Sequence, residues 1–176
     1  MSRRTTAIGA ALAAALSFVS PPGHAATSDA QKGSVDQFLA GSVPVCMRAP
    51  AVQCVSRGFA FADTDGDGKL SLVEVQAVQG QIDQWAKANA NRLPAAERQR
   101  LLVGLIVVQT VGPEQLFASY DADGDGFLSR EEVTADLRLD KRPLPEILAD
   151  PAAIDWSGLA ARAGDAAPLL KKLFDL

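Results

Sequence analysis

One twelve-residue pattern occurs twice in this chain, and no other feature constrains the fold as tightly. The first copy is Asp63-Thr64-Asp65-Gly66-Asp67-Gly68-Lys69-Leu70-Ser71-Leu72-Val73-Glu74. The second is Asp121-Ala122-Asp123-Gly124-Asp125-Gly126-Phe127-Leu128-Ser129-Arg130-Glu131-Glu132. Both carry acid at positions 1, 3, 5 and 12 and glycine at position 6. At background residue frequencies such a match arises by chance on the order of once in a million starting positions. Eight of the chain's 21 acids occupy these positions. Four carboxylates drawn into one short loop repel one another unless a cation is present.

The spacing suits a hard divalent cation. Ca²⁺ takes six to eight oxygen ligands at about 2.3–2.6 Å. Acids at alternate positions of a tightly coiled loop point inward, and Gly68 and Gly126 permit the sharp turn that follows them. The pattern resembles the EF-hand loop at all of these residues. The resemblance implies a helix-loop-helix around each copy and two bound Ca²⁺. It implies ligands from Asp63, Asp65, Asp67, the Lys69 carbonyl, Ser71 through a water, and Glu74. In the second loop it implies Asp121, Asp123, Asp125, the Phe127 carbonyl, Ser129 and Glu132. Bidentate glutamate at position 12 favours calcium over magnesium.

The flanks carry helical periodicity. Val55, Phe59 and Ala62 precede the first loop, and Val75, Val78, Ile82 and Trp85 follow it. Leu116, Phe117 and Tyr120 precede the second, and Val133 and Leu137 continue an exiting helix. An entering helix separates this pattern from dockerin modules, whose repeats also lie closer together. Leu70 and Leu128, both at position 8, are expected to pair in a short strand bridge joining the loops.

The loops start 58 residues apart, at Asp63 and Asp121. Two helices and a turn would need roughly 26–30 residues between loops, so about 16–20 are extra. Pro94 suits a first helical position, and Gly112-Pro113 ends one helix and starts another. Between them Leu101, Leu102, Leu105, Ile106 and Val108 predict an apolar face on an inserted helix of about 94–111. That helix either caps the shared core or fills the groove between the hands as a partner helix would. Further on, Ile154, Trp156 and Leu159 form an apolar cluster. Leu169, Leu170, Leu173 and Phe174 predict a short helix from Pro168 to Phe174, packed on the lobe or left for a target.

The N-terminus reads as an export signal: Arg3 and Arg4, an apolar stretch from Ala7 to Val19, then Pro21-Pro22-Gly23 and cleavage after Ala25. Thirteen apolar residues fall short of the roughly 20 that span a bilayer. Arg3-Arg4 raises twin-arginine export, though Thr5 and Thr6 lack the bulk expected there, and Cys46 is too distant for lipidation. Cleavage leaves 15 bases against 21 acids and removes His24, the one histidine. The mature chain then has no histidine for a nucleophilic triad or for histidine-ligated zinc or iron. Its acidic balance excludes polybasic nucleic-acid binding. In an exported protein Cys46 and Cys54 read as a disulfide, the alternative being two buried thiols. Pro44 and Pro50 predict a loop around them.

The sequence therefore predicts an all-α protein: a paired EF-hand lobe with a two-stranded bridge, one inserted helix and a C-terminal helical segment. The divisions are 1–25 signal peptide, 26–51 N-terminal segment with the cysteine loop, 52–140 paired hands, and 141–176 C-terminal segment. The expected role is calcium binding in a periplasmic or secreted protein that is not an enzyme. It is a sensor or calcium-stabilised binding module with an apolar groove for a protein partner, or else a buffer or structural envelope protein. No nucleic acid and no membrane span after cleavage are expected.

Overall fold

A computed structural model describes residues 34–169. The N-terminal stretch expected to be an export signal, and the residues from Leu170 onward, lie outside the described residues. The first helix, α1 (Val35–Cys46), is capped by Ser34, whose hydroxyl accepts from the Gln37 amide while the Gln37 side chain accepts from the Ser34 amide. Such a reciprocal cap satisfies two otherwise orphaned donors. Helix α2 (Ala51–Ala62) enters the first loop, and α3 (Leu72–Asn89) leaves it. Helix α4 (Ala95–Val111) is the inserted one, with Pro94 just outside its first turn. Helix α5 (Pro113–Tyr120) enters the second loop, and α6 (Arg130–Val133) leaves it. Two further helices follow, α7 (Leu144–Leu148) and α8 (Trp156–Ala163), and after a 3-10 turn at Gly164–Ala166 residues 167–169 are again helical. Gly112 and Pro113 bend the path by 85° between α4 and α5. Among the described residues no single helix is long and apolar enough to cross a membrane.

The loops join through the only sheet among the described residues. Strands β1 (Leu70–Ser71) and β2 (Phe127–Leu128) run antiparallel, with Leu70 opposite Leu128 and Ser71 opposite Phe127. Leu70 is 1% exposed and Leu128 4%. Burying a leucine side chain is worth about 1.5–3 kcal/mol, so this pair anchors both loops to the core. Around it lie Phe59, Ala62, Val75, Val78 and Ile82 from the first hand and Phe117 from the second. Helix α1 belongs to the same core: Val35 is buried in it, and Phe38 stacks on Phe61 with ring centroids 4.4 Å apart. Trp85 donates its indole N–H to Asp36 at 2.8 Å, tying α1 to α3.

The inserted helix touches three apolar clusters. Val108 and Leu105 join the core of the hands, Val103 a cluster around the cysteines, and Val107 the C-terminal cluster of Ile154, Leu159, Ala163 and Ala166. The expected apolar face needs correction here. Leu101 and Val108 are buried, but Leu102 is 44% exposed and Ile106 50%. The buried stripe follows Leu101, Gly104, Val107 and Val108; residues 102 and 106 lie four apart on another face of the same helix.

Two further expectations change. Helix α1 continues through Pro44, so the turn at the cysteines is confined to residues 47–50. Proline costs the carbonyl four residues earlier its helical donor; that residue, Ala40, is exposed, so water can satisfy it. Cys46 ends α1 and Cys54 lies in α2, and a disulfide joins them with Cα atoms 4.7 Å apart. The second exiting helix is also shorter than Val133 and Leu137 predict. It ends at Val133 after one turn, and Leu137 instead bridges to Ile154.

What ends it is a buried polar cluster. Asp136 is 4% exposed and accepts from the Tyr120 hydroxyl at 2.6 Å and from the Arg162 guanidinium. Its backbone carbonyl accepts from the Asp155 amide at 2.8 Å. Desolvating this carboxylate without partners would cost several kcal/mol, so the chain turns to where its donors are.

Candidate metal centre

Each acidic loop begins where its entering helix ends. Asp63 caps α2 and Asp121 caps α5, both with their amides bonded to the carbonyl four residues back. Asp63 then folds the loop around itself, accepting from the Gly66 amide at 2.7 Å and the Gly68 amide at 3.2 Å. Asp121 accepts from the Gly126 amide at 3.0 Å. Gly68 has φ 84° and Gly126 φ 82°, left-handed values that a side chain would resist. The requirement for glycine at position 6 is thus visible in the backbone of both loops.

Three of the four acids converge in each loop, and the one left out differs between the loops. Carboxylate oxygens of Asp63, Asp65 and Asp67 lie within 4.8 Å of one another, as do those of Asp121, Asp123 and Glu132. In the first loop Glu74 stands apart from the three aspartates. One of its oxygens accepts from the Thr64 amide (2.7 Å), the Thr64 hydroxyl (3.0 Å) and the Asp65 amide (3.3 Å). The other accepts from the Ser71 amide (2.9 Å) and hydroxyl (2.8 Å). Burial alone would push the Glu74 carboxyl up, but the Ser71 and Thr64 donors outweigh it and hold it below the ordinary glutamate value. Glu132 makes the equivalent bonds to the Ala122 amide and to Ser129. Lacking a hydroxyl at Ala122, it is gripped by fewer donors. The Ser129 amide, more than any other contact, lowers its carboxyl.

In the second loop it is Asp125 that stands apart. Its carboxylate pairs with Lys69 of the first loop and accepts from the Phe127 amide at 2.9 Å. The Lys69 hydrogen bond, then the Phe127 amide, hold this carboxyl below the usual aspartate range.

A cation fits this donor set. The Asp121 Oδ1 atom is buried and has no hydrogen-bond partner among the described residues. A buried acceptor left unpaired costs about 1–3 kcal/mol. Asp121 stands at the first position of its loop, among the three acids that converge, where an ion would supply the missing partner. Ligands of this kind, all hard oxygens, suit calcium.

The capping role of the position-9 serines is not part of the expected ligand reading. Ser71 and Ser129 are the N-caps of α3 and α6, and each forms a capping box with the glutamate three residues on. The signal was present as Ser-x-x-Glu in both loops. Position 12 therefore does two things: it closes the helix start, and it faces the loop.

No curated protein and no solved structure matches the chain significantly. Two segments, residues 57–78 and 114–135, match the sequence model of the EF hand. These segments span the acidic loops, their strand bridge and the adjoining turns of the flanking helices. The chain carries two EF-hand motifs.

Proposed function

We propose that this is an exported calcium-binding protein that takes one Ca²⁺ in each loop and is stabilised by it, as a binding module rather than a widely opening sensor. The observation that carries the calcium reading is the orphaned Asp121 Oδ1 within a converging acid group. The limited opening is supported by α4, whose Leu105 and Val108 already pack into the core shared by the hands. It is supported too by the one-turn α6, whose continuation is held by the Asp136 cluster. A sensor hand opens by swinging its exiting helix to expose an apolar groove; in the second hand little exiting helix remains to swing. Export to the periplasm or outside the cell is supported by the N-terminal sequence and by the Cys46–Cys54 disulfide, which persists in oxidising compartments.

The test is calorimetry on residues 26–176 with Ca²⁺ and Mg²⁺, paired with binding of a dye that reports exposed apolar surface. The expected result is two calcium sites, far weaker magnesium binding, and no calcium-dependent rise in dye signal. Zero or one site would sink the two-ion reading, and a large rise in dye signal would favour the sensor.

A further inference from the structure

The two loops differ at position 7, and the difference crosses from one hand to the other. Lys69 of the first loop extends over the strand bridge to the carboxylate of Asp125 in the second. It also lies 5.6 Å from the centroid of the Phe127 ring. Phe127 occupies position 7 of the second loop, so no equivalent cation reaches back to the first. The consequence is visible in the acid groups. Asp67, at position 5 of the first loop, converges with Asp63 and Asp65, whereas Asp125, its counterpart, does not lie with Asp121, Asp123 and Glu132.

We infer that Lys69 sets the calcium affinity of the second loop: its ammonium, tethered in the first loop, holds Asp125 until a metal ion displaces it. The inference rests on the calcium reading above. Metal entry at the second loop is then an exchange of one cation for another. Asp125 must leave Lys69 before it can complete the ligand set. Once the ion is in place, the ammonium stands near a divalent charge, which disfavours the loaded state further. Both effects lower the affinity of the second site and leave its ligand residues unchanged. The pair also partly relieves repulsion among the acids of the empty loop, so Lys69 supports the metal-free chain while opposing the loaded one.

The test compares Lys69→Met with Lys69→Arg, each in a Glu74→Gln background that leaves the second loop as the one complete site. Calcium is titrated by calorimetry. Lys69→Met is expected to tighten binding by about threefold to fivefold, the range of a partly exposed ion pair. Lys69→Arg, which keeps the charge, is expected to stay within about twofold of lysine on the same scale. A second measurement reads the pair without metal. In excess chelator Lys69→Met alone should melt about 1–3 °C below the unsubstituted chain, and in saturating calcium above it. Unchanged affinity in Lys69→Met, or equal tightening by methionine and arginine, overturns the inference. So does an unchanged melting point in chelator. If the unsubstituted chain takes up no calcium at all, it is the calcium reading that fails, and the chelator arm still decides whether Lys69 holds Asp125.

Discussion

The guanidinium of Arg162, on α8, lies 4.6 Å from the ring centroid of Tyr120 and donates to Asp136. Arg162 also donates to the Ser119 carbonyl at 3.1 Å. Helix α8 thereby grips both sides of the second hand: the end of the helix that enters the loop and the segment that follows the loop. Arg162→Met leaves a buried carboxylate with Tyr120 as its remaining side-chain donor. The expected loss is about 3 kcal/mol, the low end for breaking a buried pair. Urea denaturation measures it, and Asp136→Asn in the same chain should recover part of the loss.

Gly158 permits that grip. A Cβ at this position would lie 2.5 Å from Asp136 Oδ1, 2.7 Å from Asp155 Oδ2 and 2.8 Å from an Arg162 nitrogen. Alanine in place of a helical glycine ordinarily stabilises by up to about 1 kcal/mol. Here Gly158→Ala should destabilise by about 1–3 kcal/mol, because the polar cluster must shift to admit the methyl group. A melting temperature above that of the unsubstituted chain would contradict the packing described.

Tyr120 is the chain's single tyrosine, so its ionisation can be followed without interference. Burial, and then the adjacent Asp136 carboxylate, push its hydroxyl far above the ordinary tyrosine value. A raised pKa means that the folded state keeps its proton where the unfolded state loses it. The resulting stability is fully present below the unfolded value of about 10 and is lost as pH rises beyond it. Phenolate absorbance should therefore appear together with loss of helical circular dichroism, not before it. A phenolate signal in a still-folded protein at pH 10–11 would show that Tyr120 is not sealed in this cluster.

Calcium should raise the melting temperature. An ion that binds only the folded chain adds about 2.7 kcal/mol per site at 100 times its Kd. The strand bridge makes the sites interdependent. Glu132→Gln should abolish the second site and weaken the first through Leu70 and Leu128 by about 1–3 kcal/mol, with Glu74→Gln acting reciprocally. Calcium titration of both variants checks this; a surviving site of unchanged affinity would mean the bridge transmits nothing. Glu74→Gln should also destabilise the metal-free chain, by about 1–3 kcal/mol, because glutamine keeps one acceptor oxygen and its amide nitrogen only donates, so either the Ser71 or the Thr64 donors lose their partner.

Reduction of the Cys46–Cys54 bond should cost about 2.5 kcal/mol by the chain-entropy estimate for so short a loop. The check is a melting curve with and without reductant, with Cys46→Ser/Cys54→Ser as the non-redox control. Alkylation before reduction should leave both cysteines unmodified.

The elements legible in the sequence were those written into spacing. The two loops, the Leu70–Leu128 register and the boundary at Gly112-Pro113 follow from fixed offsets that local geometry obeys. What was not legible depends on contacts between distant residues. The exiting helix of the second hand stops early because Asp136 finds Tyr120 and Arg162, and no local pattern announces that meeting. Pro44 stays inside α1 because Ala40 faces water, an orientation set by packing. Leu102 and Ile106 belong to the run that predicts a wide apolar face but fall on the outer side of α4. Within the candidate site the acidic positions were readable, whereas the pull of Thr64 on Glu74 and of Lys69 on Asp125 became apparent only in three dimensions.

Helix α4 contributes Val108 to the core of the hands, Val103 to the cysteine cluster and Val107 to the C-terminal cluster. By length it is an insertion, yet each apolar layer loses a wall if it is removed. A shortened version of this protein, trimmed to two hands and a tight connector, would expose three surfaces at once and should aggregate rather than fold. The same geometry implies cooperativity across the chain. Slow amide exchange at Leu70 and Leu128 should report global unfolding rather than local fraying, and cleavage within α4 should release protection in both loops together.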